Sequence, residues 1–172
     1  MVPVCAKSAS APSQIFWQAA VLNFPLFYTY SLSSQTVNEI VSLSSLADEF
    51  QRLVNPLDVD SGFKSFRTMP QHDGSPHVEC VNGKFHFVVT ERGTEFERIR
   101  DLSASDVLYL LFDGVTQHMA TTHELQNRKQ GIDGRSVWFP YQEDLMRKLS
   151  PIWGERLKAE HERILVEHPF RP

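Results

Sequence analysis

Residues 75–100, SPHVECVNGKFHFVVTERGTEFERIR, decide the fold. Two strand-like runs flank Asn82-Gly83, and both of these residues tolerate the positive φ that a type I′ hairpin turn requires. A further run follows Arg92-Gly93, so the segment reads as an antiparallel meander. Counting pairs outward from the first turn sets Cys80 opposite Phe85 and Val78 opposite Phe87. Counting from the second sets Val89 opposite Phe96. Side chains alternate along a strand, so Val78, Cys80, Phe85, Phe87, Val89 and Phe96 are expected on one face. The other face is expected to carry His77, Glu79, Val81, Lys84, His86, Val88, Thr90, Glu95, Glu97 and Ile99. That mixture suits an antiparallel sheet with one wet side. Arg98 and Arg100 fall on the apolar face by the same count, at its rim unless a bulge moves them.

The whole chain has 172 residues, 41% hydrophobic and 22% charged, with a net charge of −4. This length suits one domain with a sizeable core. Mild acidity argues against nucleic-acid binding, which needs a clustered basic surface, and would suit a basic protein partner. Cys5 and Cys80 make no disulfide framework; Cys80 is expected as a small core residue, pointing to a reducing cytoplasm.

The first third has a different character. No charged side chain occurs between Lys7 and Glu39, and residues 15–32, IFWQAAVLNFPLFYTYSL, are apolar and aromatic. A secretory signal fits poorly, with one early cation and no clear cleavage site. A membrane span fits worse, because Gln18, Asn23 and Pro25 interrupt the run. Residues 1–34 are therefore expected to form an apolar extension or packing segment, and residues 35–172 a single domain, with no membrane role.

Within that domain Val37, Ile40, Val41, Leu43, Leu46, Phe50, Leu53 and Val54 recur at helical spacing until Asn55-Pro56. Loop signals fill 57–76, where FKSFRT at 63–68 is a candidate edge strand. Ser103 and Asp106 then resemble a capping box, with Leu102 and Val107 as the hydrophobic staple. The helix they open presents Val107, Leu108, Leu111, Phe112, Val115 and Met119 and runs to about Arg128. Val137, Trp138, Tyr141, Leu145 and Leu149 mark another helix. Ser150-Pro151 starts the last one, with Trp153, Leu157, Ile164 and Leu165. Strands grouped before helices indicate an α+β fold, an antiparallel β-meander packed against a helical C-terminal half.

Catalytic signatures do not emerge. There is no G-x-S-x-G, phosphate loop or G-x-G-x-x-G. His161 and His168 share a helix face but stand about 10.5 Å apart along it, too far for two ligands each roughly 2 Å from one zinc. His118 and His123 diverge. Glu95 and Glu97 have the spacing of a carboxylate pair, and Glu79 and His86 are cross-strand neighbours, yet no apolar pocket accompanies them. No catalytic residue, metal or cofactor is expected.

The strings PHVECVNGKFHFVVTERGTEFER and LSPIWGERLKAEHERILVEHPF resemble the immunity protein 63 family of bacterial polymorphic toxin systems, over about residues 42–170. Residues 1 to about 35 lie outside the resemblance. It implies a cytoplasmic protein that binds and neutralises a cognate toxin domain, and it supplies no catalytic residues. Occlusion of a basic toxin calls for exposed carboxylates. The polar sheet face, with Glu79, His86, Glu91, Glu95 and Glu97, is the first candidate surface. Glu155, Glu160 and Glu162 on the last helix come second. The alternatives are a small enzyme with a dispersed active site and a general protein-interaction module. Oligomeric state is not legible.

Overall fold

The structure is a computed structural model that describes residues 42–170. The apolar segment 15–32 and the positions Val37, Ile40 and Val41 lie outside the described residues. In chain order the elements are α1 (Leu43–Val54), a 3₁₀ turn (Ser61–Lys64), β1 (Asp73–Val81), β2 (Lys84–Glu91), β3 (Thr94–Leu102), α2 (Ala104–Gln126), α3 (Arg135–Leu149) and α4 (Pro151–Glu167). The strands form one antiparallel sheet in the order β1-β2-β3. The architecture is α+β, as the grouping of elements predicts.

Helix α1 starts later than its apolar spacing suggests. Ser42 is extended, at φ −135° and ψ 157°, and exchanges a reciprocal capping box with Ser45. That satisfies two orphan donors and fixes the first turn at Leu43. Leu46, Phe50 and Val54 follow at intervals of one helical turn and are buried. The run at 63–68 is not a strand. After the 3₁₀ turn the chain passes along the edge of β1, where the Arg67 carbonyl accepts a 2.8 Å bond from the Val78 amide. Phe63 and Phe66 pack on the core.

Both hairpin turns stand where the sequence sets them. Asn82 and Gly83 have φ of 52° and 75°, Arg92 and Gly93 of 48° and 82°. The β1–β2 register is the expected one, with Cys80 opposite Phe85 and Val78 opposite Phe87. The β2–β3 register is not. Thr90 pairs with Glu95, but Val89 pairs with Glu97, so Phe96 is an extra residue and is 62% exposed. This bulge exchanges the faces of everything that follows. Glu97 and Ile99 move to the helix side and Arg98 to the other. The physical gain is visible at Ile99, which packs on the core while Arg98 is released from it. A second irregularity, with Asp101 at φ 58°, brings Leu102 opposite Phe85 and back to the core side. Cys80, expected in the core, is exposed near the turn end of edge strand β1.

Ser103 caps α2 as its sequence indicates, accepting 3.2 Å from the Asp106 amide. This helix is buried almost all round at 107–112 and 114–116, because it is the central element. The sheet's first face and α1 meet it on one side through Val78, Phe87, Val89 and Phe50. On another side Met146 of α3 and Trp153 and Leu157 of α4 close the same core. Buried positions on α3 are Phe139, Gln142, Leu145 and Met146, so Val137, Trp138 and Tyr141 are only half-buried. The single residue Ser150 joins α3 to α4. Their close approach requires Gly154, where a Cβ would stand 2.7 Å from Arg147 Cβ.

Candidate functional site

The bulge builds a charged network on the second face of the sheet. Once Phe96 is looped out, Arg98 pairs with Val88 on the centre strand and reaches carboxylates on both sides. Its Nη1 donates to Glu79 Oε2 at 2.6 Å. Its Nε and Nη2 donate to the two Glu95 oxygens at 2.9 and 2.8 Å, the fork geometry that favours arginine. Those hydrogen bonds hold both carboxyls below the usual glutamate range and raise the Arg98 guanidinium, Glu95 contributing more than Glu79. His77 Nε2 lies 3.3 Å from Glu79 Oε1, and His86 Nε2 lies 4.0 Å from Asp101. Two acids share one arginine, so the triad carries about one negative charge instead of two.

The centre of this face is not wet. Val88 is 0% exposed and His77 2%, and His86 and Thr90 are buried too. Of the residues expected to form one anionic surface here, Glu79 and Glu95 are together and share Arg98, His86 is buried, and Glu91 is half-buried with Arg92 3.6 Å away. Glu97 is not on this face at all. It lies on the helix side opposite Val89, where burial raises its carboxyl and leaves Oε1 without a hydrogen-bond partner.

The carboxylates of α4 divide differently. Glu160 turns inward and accepts 3.0 Å from the Tyr109 hydroxyl, tying α4 to α2. Arg156 covers the Tyr109 ring at 3.8 Å and bonds Asp106 at 3.0 Å. Nearby, burial and then the Glu160 charge push the Asp113 carboxyl up to about 7, against a 2.9 Å bond from Gln142 Nε2. Glu155 and Glu162 point outward, with loose partners at 3.6 Å (Arg147) and 3.8 Å (Lys158). They alternate along the helix with Ile152, Ala159 and Val166, all exposed, Val166 to 81%. The outer side of α4 is thus an apolar and acidic stripe. Sequence reasoning named its carboxylates and missed its apolar members, although their spacing of three and four residues was readable.

A second cluster joins α3 and α4. His161 stacks on Phe139 at 3.8 Å and its Nδ1 meets Glu143 Oε1 at 2.9 Å, while burial lowers the imidazole's affinity for a proton. Beside it a cleft of about 260 Å³ is lined by Phe139, Pro140, Leu165 and Phe170. Arg135 closes one end, donating 2.7 Å to the His168 carbonyl. His168 is the C-cap of α4. Among the described residues no three His, Cys, Asp or Glu side chains converge as a metal site, and no helix is long and apolar enough to cross a membrane.

No curated protein and no solved structure matches this chain. A family match does exist, narrower than the resemblance read from 42–170. It begins at the first hairpin turn and leaves out α1, β1 and the end of α4. Residues 82–163, which span β2, β3, α2, α3 and most of α4, match the model of the family described as Immunity protein 63.

Proposed function

We propose that this protein binds a cognate bacterial polymorphic toxin in the cytoplasm and neutralises it by stoichiometric occlusion, without turning over a substrate. The observation that carries the proposal is the family match across β2, β3 and the helical block. For the contact surface we propose the outer side of α4. Its carboxylates Glu155 and Glu162 are open and its apolar residues Ile152 and Val166 have no cover among their helix neighbours. Apolar anchors between acidic groups suit a basic partner, since the charges steer association and the apolar groups hold it. The rim of the second sheet face, Glu79 with Glu95, ranks behind it, because Arg98 already bonds both carboxylates and offsets one of their two charges.

Co-expression with the toxin domain encoded beside this gene tests both levels. Wild type should restore growth and co-purify with the toxin. Glu155→Lys with Glu162→Lys should lose the complex while keeping the wild-type circular dichroism spectrum. Glu79→Lys with Glu95→Lys should retain it. Loss in the second pair alone would move the interface to the sheet, and no rescue by wild type would end the immunity assignment.

One observation favours a different reading. The buried His161–Glu143 pair beside an apolar cleft is also how a small-ligand site is built. Replacement of Leu165 by Trp would fill that cleft. Unchanged toxin neutralisation by this variant is the expected result.

A further inference from the structure

The cleft between α3 and α4 holds a ring nitrogen that no described residue bonds. His161 is 4% exposed and stacks on Phe139 at 3.8 Å, the two planes 4° apart. Its Nδ1 donates to Glu143 Oε1 at 2.9 Å. That carboxylate fixes the tautomer, so Nε2 carries the lone pair and is an acceptor. Burial acts in the same direction, because it lowers the imidazole's affinity for a second proton. Nε2 has no hydrogen-bond partner among the described residues, yet it is not sealed from solvent, and the opening that His161 lines is the cleft of about 260 Å³. A second acceptor borders the same space. Pro140 has no N–H for the Ser136 carbonyl one turn earlier, and both residues line the cleft. The charged groups around it already face partners: Arg135 holds Asp133 at 2.7 Å, Lys158 stands 3.8 Å from Glu162, and Glu143 is turned to His161.

We propose that this cleft binds a small, neutral aromatic molecule carrying a hydroxyl or N–H donor, with the donor bonded to His161 Nε2 and the ring against Pro140, Leu165 and Phe170. Size selects a single ring. An apolar cavity of about 150 Å³ already holds benzene, and drug-sized pockets begin at roughly 300 Å³. Charge selects a neutral molecule, because each ionic group at the cleft has its counter-charge within the fold and an added ion would be desolvated unpaired. The two acceptors select a donor. Glu143 is then a positioning residue, holding the imidazole with its lone pair towards the ligand. Of the outer stripe of α4 only Glu162 borders the cleft, so a ligand there leaves Ile152, Glu155 and Val166 clear. The site thus goes beyond the immunity reading and does not rest on it.

The test titrates the full chain calorimetrically with p-cresol and, separately, with its methyl ether, which keeps the ring and the oxygen but has no donor. The phenol should bind saturably, one per chain, and at least tenfold more tightly than the ether, since a ligand without a donor leaves a desolvated acceptor unpaired. Nitrogen chemical shifts of isotope-labelled histidine should show His161 Nε2 unprotonated and moving as p-cresol is added. His161→Phe keeps a ring to stack on Phe139 and removes the acceptor, so it should erase the preference for the phenol while the ether binds as before. Leu165→Trp should abolish binding of both. Equal affinity for the two probes in wild type, an Nε2 signal unmoved at saturation, binding that survives Leu165→Trp, or no saturable binding would each overturn the proposal. The wild-type measurements decide it even where a variant fails to fold. None of them involves the toxin, so failure here leaves the immunity reading standing.

Discussion

Asp113 shows how one residue records an interior that no local pattern reveals. Its carboxyl is raised to about 7, first by burial and then by Glu160, against the helping bond from Gln142. The folded state therefore binds this proton more tightly than the unfolded chain, whose carboxyl titrates near 3.8. The stability that protonation provides is complete below about pH 4 and declines as pH rises towards 7. Asp113→Asn keeps an acceptor for Gln142 and removes the charge. Thermal melts should show the variant gaining on wild type as pH increases, by on the order of 1–2 kcal/mol at pH 8. Equal melting temperatures at pH 5 and pH 8 would refute it. None of this was legible in the sequence, because Gln142 and Glu160 reach Asp113 from other helices. Arg98 was nearer to legible. A regular ladder would have turned it towards the apolar face, and that conflict was itself the sign of a bulge.

At the scale of elements, local chemistry foretold what is locally decided. Asn82-Gly83, the Ser103 cap and Ser150-Pro151 stand where their residue types require. The register beyond Arg92-Gly93 was misjudged because burial of Ile99 and Leu102, not the turn, selects it. The bulge thus has a testable role. Phe96→Ser changes an exposed side chain and should shift stability by no more than about 0.5 kcal/mol. Deleting Phe96 removes the extra residue, so Thr90–Glu95 and Val89–Glu97 become adjacent pairs of a regular ladder while Arg98 and Ile99 keep their faces. Denaturant titration should find the deletion within about 1 kcal/mol of wild type, and a loss of several kcal/mol would mean that the bulged residue itself is needed to hold the register. The α3–α4 junction makes a similar point. Ala normally exceeds Gly within a helix by about 1 kcal/mol. At Gly154 the new methyl would meet the Arg147 backbone at 2.8 Å, so the helices must part. Gly154→Ala should be destabilising in the same titration, by about 1–3 kcal/mol, against its propensity.

For the whole molecule, the two strings that resemble immunity proteins lie at opposite ends of the matched region, one in the sheet and one in α4. The hydrophobic core joins these ends through α2, so the family match marks a packed unit rather than a motif. What the sequence could not rank was its carboxylates. Seven of the eight proposed contacts are glutamates and one is His86, alike in a linear reading, and packing sorts them. Glu79 and Glu95 are taken by Arg98, Glu160 by Tyr109, Glu97 by the core side, while Glu155 and Glu162 stay open. An interface steered by two open carboxylates on a chain of net charge −4 has a kinetic signature. Charges at a rim act on the encounter, over a distance set by the Debye length of about 8 Å at physiological salt. Stopped-flow association with a basic toxin domain should slow several-fold as salt rises from low to high ionic strength, with little change in dissociation. Glu155→Gln with Glu162→Gln should flatten that dependence, and Glu79→Gln should leave it as in wild type. Association insensitive to salt in all three would mean that contact is apolar, carried by Ile152 and Val166, and that the carboxylates only keep the stripe in solution.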